Sequence, residues 1–199
     1  MTYRSLTRAT PPVTEPLTLT ETKLHLRVDI DEDDNYILGL IAAAREWVES
    51  YLDRSLIYTQ WTLRMDAFPA EIELPRPPMA TTGTHTATTI TYTMETQATA
   101  TLASTEYRVD RHSTPGVMRK TYSGSWPAHL SDENAVTVTW WAGYGEDGTK
   151  VPRTIRNAML LLIGHWYENR SAVLTGSISK EFEFSVKALL DSVSWGQYR

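Results

Sequence analysis

Two rhythms of apolar positions run along the chain. Between residues 36 and 52 the apolar side chains return every three or four positions: Tyr36, Ile37, Leu40, Ile41, Ala44, Trp47, Val48, Tyr51 and Leu52. That spacing puts them on one side of a helix of about 20 residues. Val151-Pro152 opens a second helix, with proline at the first helical position, where a missing N–H costs nothing. Its stripe is Ile155, Met159, Leu162, Ile163, Trp166 and Tyr167, and Leu160 and Leu161 make it apolar nearly all round, the mark of a central helix. From Leu56 to Tyr144 the rhythm shortens to two. Trp61, Leu63 and Met65 alternate, as do Ile72 and Leu74, Ile90 and Tyr92, Tyr107 and Val109, and Val136, Val138 and Trp140. Thr18 with Glu21 reads as a capping box for a short helix ending near Arg27. Amphipathic helices draw most of their stability from packing, so the two long helices are expected to face each other.

This order predicts an α+β protein. A small helical bundle, two long helices plus a short N-terminal helix, carries an inserted antiparallel β subdomain. The expected boundaries are an extended N-terminal arm at 1–16, bundle segments at 17–55 and 151–170, the β subdomain at 56–150 and a C-terminal arm at 171–199. The arm at 1–16 is polar and holds Pro11, Pro12 and Pro16. Twelve threonines fall within residues 81–105. Threonine favours strands, so exposed hairpins are expected there, with a flexible loop near Thr81–Thr88. Near the C-terminus Phe182, Phe184 and Val186 alternate, and Ala188, Leu189, Leu190, Val193 and Trp195 follow.

Composition narrows the chemistry. Of the 199 residues 41% are hydrophobic and 22% charged, a balance suited to a packed core rather than disorder. There is no cysteine, which excludes disulfides, thiolate metal sites and a cysteine nucleophile. The net charge of −5, from 19 basic and 24 acidic residues, is opposite to what a protein gripping phosphate backbones carries. No run reaches the 18 or so apolar residues of a membrane span, and residues 1–16 hold no apolar signal region.

Motifs that suggest chemistry fail on their surroundings. Gly143-Tyr144-Gly145-Glu146-Asp147-Gly148 matches the spacing of a dinucleotide fingerprint after a strand. A phosphate cradle needs the last glycine at the helix start, yet Pro152 restarts the helix four residues later, and Glu146 and Asp147 repel phosphate. The run Asp29, Asp31, Glu32, Asp33 and Asp34 lacks the glycine and glutamate of a calcium loop and reads as charge at a helix N-terminus. His25, His85, His112, His129 and His165 show no metal-ligand spacing. No catalytic, metal or cofactor residues are assigned.

Taken in order, a string of short segments resembles a known family. These are Leu19 to Arg27, Ala43-Ala44-Arg45-Glu46, Arg54-Ser55-Leu56-Ile57, Trp61, Phe68-Pro69 and Leu74-Pro75-Arg76-Pro77-Pro78. Ile90-Thr91-Tyr92, Tyr107-Arg108-Val109-Asp110, Trp126-Pro127, Ala142-Gly143-Tyr144-Gly145 and Gly164-His165-Trp166-Tyr167-Glu168-Asn169-Arg170 follow. Over residues 17–170 the chain is similar to the head–tail connector (adaptor, or head-completion) proteins of long-tailed double-stranded DNA bacteriophages and gene transfer agents.

The resemblance implies a structural protein with no enzymatic activity and no cofactor. It implies a homo-oligomeric ring, of twelve copies, under the portal protein in the virion, made in the host bacterial cytoplasm, with no membrane contact. Such a ring extends the DNA channel, lets DNA pass without specific binding and presents a surface to stopper or tail proteins. On that basis Arg45, Glu49, Arg156, Glu168 and Arg170 are expected between subunits, and Phe182, Phe184, Leu189, Leu190, Trp195 and Tyr198 toward the portal. Two alternatives are carried beside it: a nucleotide-binding enzyme using the Gly143–Gly148 turn, and a β-rich surface-binding module using the threonine hairpins.

Overall fold

The computed structural model describes residues 5–130, 132–170 and 178–194. The chain divides into two compact units. One comprises Tyr58–Tyr144 together with the segment up to Pro12; the other comprises Val13–Ile57 and the residues from Gly145 onward.

The first unit is all β apart from one 3-10 turn. Its strands are β1 (Ser5–Thr10), β2 (Thr59–Met65), β3 (Glu71–Leu74), β4 (Thr89–Thr93), β5 (Thr99–Thr101), β6 (Tyr107–Asp110), β7 (Gly116–Lys120) and β8 (Val136–Ala142). They form a five-stranded sheet in the order β1-β2-β8-β4-β5 and a three-stranded sheet in the order β3-β7-β6. Every neighbouring pair is antiparallel. The period-two pattern sets the register. Trp61 lies opposite Trp140, Leu63 opposite Val138 and Met65 opposite Val136, so each apolar side chain falls on the same face as its neighbour. Ile72, Leu74 and Met118 from the smaller sheet join these residues in one buried cluster. The Trp61 ring also lies under two guanidinium groups, Arg8 at 5.4 Å and Arg76 at 5.3 Å from its centroid.

Two segments differ from the sequence expectation. Within the expected arm, residues 5–10 form an edge strand paired to β2, with Leu6 opposite Leu63 and a bulge between Arg8 and Thr10. The stretch expected to be a flexible loop holds a 3-10 turn at Gly83–Thr86 that is fastened at several points. The His85 ring sits edge-on to Trp141 at 4.4 Å, Arg111 donates to the Thr86 carbonyl at 2.8 Å, and the Tyr107 hydroxyl donates to the Thr88 carbonyl at 2.8 Å.

The second unit is helical: α1 (Leu19–Leu26), α2 (Asp34–Leu52), α3 (Arg153–Glu168) and α4 (Ile178–Asp191). Thr18 caps α1 by accepting the Glu21 N–H at 3.1 Å, and Arg27 ends it in the left-handed conformation, φ 58°. Helix α2 buries Ile37, Ile41, Ala44, Val48 and Leu52, a narrower stripe than its apolar positions suggested. Tyr36 and Tyr51 keep 37% of their surface exposed, because each ring carries a hydroxyl with a partner at the rim. Helix α3 buries Ile155, Ala158, Met159, Leu162 and Ile163 and packs on α2. The last segment is a helix rather than an alternating strand or an arm. Val186 and Leu190, four residues apart, are both buried, and α4 packs on α3.

Candidate functional site

The glycine-rich turn is occupied by the chain itself. The Gly143 N–H donates to the Pro78 carbonyl at 2.7 Å, and its φ of 138° is one that side chains avoid. Farther along, a Cβ on Gly148 would run into the Pro16 carbonyl oxygen, so glycine is there to let two backbone stretches touch. The Asp147 carboxylate accepts the Thr149 N–H at 2.7 Å and its hydroxyl too, which holds that carboxyl below the usual range. An acid already fills the place a phosphate would take at the following turn.

The strongest electrostatic feature lies inside the helical unit. Arg45 is only 5% exposed and Glu49 3%. The Arg45 guanidinium donates to Glu15 at 2.8 Å, to Glu49 at 3.1 Å and to Glu46 at 3.5 Å. The other oxygen of Glu49 accepts the Leu56 N–H at 2.9 Å. Burial opposes the charge on Arg45, but the three carboxylates outweigh it and hold its pKa above the ordinary value. Two of the residues expected between subunits therefore serve to fasten the segment before α1 and the end of α2 to one another. The i,i+4 spacing of Arg45 and Glu49 suits a surface pair equally well. Glu15, which turns it into a buried network, is 30 positions away.

The remaining charged candidates lie at helix ends. Arg156 donates to Glu21, joining α3 to α1. Arg170 donates to Asp33 at 2.8 Å, and its guanidinium lies 4.6 Å from the Tyr36 ring and 4.9 Å from the Tyr167 ring. The Tyr167 hydroxyl donates to the same Asp33 oxygen, and these two donors, the hydroxyl first, hold the Asp33 carboxyl low. Lys23 bridges Asp31 and Asp34 at 2.7 Å each. The acidic run thus differs from its sequence reading: Asp33 makes no side-chain cap on α2, and its carboxylate reaches the end of α3 instead. Arg170 is 52% exposed and Glu168 is exposed.

Of the residues expected toward the portal, Leu190 is buried in the helical unit and Leu189 is half-buried. The side chains of Phe182 and Phe184, and Trp195 and Tyr198 altogether, lie outside the described residues. No group of histidine and carboxylate side chains able to hold a metal ion occurs among the described residues. No helix there is long and apolar enough to cross a membrane.

The threonines form the other surface feature, one that sequence pattern hinted at without placing. On the five-stranded sheet, the face opposite the core carries Thr7, Thr62, Thr139 and Thr89 in one row across four adjacent strands. Ser5, Arg64, Thr137, Thr91 and Thr101 make a second row across all five. Thr93 opposite Thr99 begins a third.

Comparison with known proteins agrees with the sequence resemblance. Residues 16–109 match the family described as phage gp6-like head-tail connector protein. The whole fold is similar to a chain in the neck of an empty gene transfer agent particle computed with C6 symmetry, TM-score 0.79 at 19% identity, covering 98% of each chain. A chain from the virion of a native gene transfer agent particle gives TM-score 0.77 at 20% identity, covering 98% of this chain and 97% of that one. A third, from the neck of a native particle computed with C12 symmetry, gives 0.70 at 19%, with 98% of both chains covered. No curated protein matches.

Proposed function

Since residues 16–109 match the family described as phage gp6-like head-tail connector protein, we propose that the chain is a structural subunit of a particle neck, assembled as a twelve-copy ring beneath the portal protein. The ring extends the DNA channel and offers a surface to stopper or tail proteins. Two likenesses found independently carry this reading: a family match over residues 16–109 and a fold match over 98% of the chain to neck and virion chains of gene transfer agents. The role is one of assembly rather than catalysis. The glycine-rich turn, the best enzyme candidate, is packed against the chain's own backbone, which supports that part of the reading.

A closed ring joins two different patches of neighbouring copies. Arg45 and Glu49 are engaged within their own unit, so the exposed Glu168 and the half-exposed Arg170 are the better candidates for setting register. The subunit is made in the host cytoplasm and resides in the virion. Electron microscopy and mass measurement of the purified chain, alone and mixed with portal protein, test the reading. Rings seated on the portal are expected. A chain that stays monomeric and never joins the portal overturns it.

A further inference from the structure

One end of the β unit gathers aromatic rings at three loops: residues 66–70 after β2, 94–98 between β4 and β5, and 121–130 with 132–135 before β8. Phe68 stacks on Trp126 at 4.9 Å, meets His129 edge-on at 5.3 Å and lies 6.0 Å from Tyr92 of β4. All four rings are half-buried, and Tyr122, on the same loop as Trp126, is fully exposed. The loops are tied to one another. The Trp126 indole N–H donates to the Pro69 carbonyl and the Leu130 N–H to the Thr93 carbonyl, both at 2.8 Å, and the Asn134 N–H donates to the Asp66 carboxylate at 2.9 Å. These loops carry Asp66, Glu95, Asp132 and Glu133 and no lysine or arginine. Half of the eight acids of the β unit thus sit at this end, while all eight of its basic residues fall outside these loops. Other rings of the chain are covered by its own arginines: Trp61 by Arg8 and Arg76, and Tyr36 and Tyr167 by Arg170. No arginine among the described residues lies over Phe68, Tyr92 or Trp126.

We propose that this end of the β unit is a docking surface for an arginine-bearing segment of another protein, a role that does not depend on the connector reading above. A guanidinium is drawn to the face of an aromatic ring and, being planar and weakly hydrated, stacks there at less cost than an ammonium. The four carboxylates speed the encounter with a basic segment and disfavour an acidic one. Rings held by interlocked loops lose little freedom on binding, and tyrosine and tryptophan are the side chains from which such contacts draw most of their energy. The acidic run at residues 29–34 also attracts basic segments, but the rings beside it, Tyr36 and Tyr167, are already taken by Arg170.

Anisotropy of a fluorescein-labelled peptide of alternating arginine and glycine, titrated with the full chain, tests this. Glu95→Lys combined with Asp132→Lys is expected to weaken binding about tenfold. Asp29→Lys combined with Glu32→Lys changes the net charge by the same amount in the helical unit and is expected to weaken it far less. All four positions are exposed, so both variants are expected to fold. Trp126→Leu is expected to weaken binding as well; should it fold poorly, the charge variants still decide the matter. The same peptide with lysine in place of arginine is expected to bind several-fold more weakly. Equal losses from the two double variants, no loss from Glu95→Lys with Asp132→Lys, or a lysine peptide that binds as tightly, each overturns the proposal, as does a wild-type chain that leaves the arginine peptide unbound. If Glu95→Lys with Asp132→Lys keeps its affinity for the peptide but lowers the mass of the chain's own assemblies, the occupant is a second copy and the proposal falls.

Discussion

The two units solve the same packing problem with different means. The β unit joins its two sheets through one apolar cluster, Trp61, Leu63, Val138 and Trp140 of the larger sheet with Ile72, Leu74 and Met118 of the smaller, and its Arg119–Glu71 pair between β7 and β3 is exposed. The helical unit has narrower apolar stripes and adds charge pairs between elements: Arg45 with Glu15, Arg156 with Glu21, Arg170 with Asp33, and Lys23 with Asp31 and Asp34. An apolar contact tolerates reshaping. A buried ion pair does not tolerate the loss of one member, because the other is left charged and dry. The helical unit is therefore the more brittle of the two.

Arg45→Ala puts the sharpest strain on that contrast. It takes the guanidinium away from Glu15, Glu46 and the buried Glu49 and is expected to cost about 3–5 kcal/mol, seen as a lowered thermal midpoint with hydrogen-exchange protection lost first along α2. Leu63→Ala tests the other side. A cavity in the β core costs about 2–5 kcal/mol, and exchange protection is expected to fall in β2 and β8. If Arg45→Ala proves milder than Leu63→Ala, the charge network is not what holds the helical unit. Arg170→Ala removes an exposed pair and two ring contacts, and a loss smaller than that of either variant above is expected in chemical denaturation.

The smallest effect is a difference in acid response. Asp31, Asp33 and Asp147 in the helical unit are held below the ordinary carboxylate value by Lys23, by Tyr167 and Arg170, and by Thr149, respectively. Asp110, held low by the His112 and Ser113 amides, is the matching case in the β unit. A depressed folded pKa gives stability that is fully present above the unfolded value, near 3.9, and is lost as pH falls through the folded one. Amide exchange followed below pH 4 is expected to loosen the helical unit before the β unit. Simultaneous loosening would contradict the contrast.

How far these features could be read in advance follows from the distance between partners. The stripe of α2 and the alternation in β2 and β8 are legible because neighbours in sequence report the same face. Strand β1 is not, since Leu6 is its only large apolar residue and its pairing is set by Leu63 far away. Helix α4 misleads because Phe182, Phe184 and Val186 fit a period of two, while the burial that decides the matter is that of Val186 and Leu190. Arg45 and Glu49 look like a surface pair until Glu15 is placed beside them, and Asp33 looks like a cap until Arg170 is.

The edge strand β1 also orders events at the ribosome. Thr10 and its partner Gln60 are 50 positions apart, and α1 and α2 lie between them. At about 5–20 residues per second, roughly 3–10 s pass between their syntheses. Through that interval the ribbon must keep its open backbone away from other nascent chains. Its short length, the irregularity before Thr10 and the two prolines that follow all make it a poor template for a stranger.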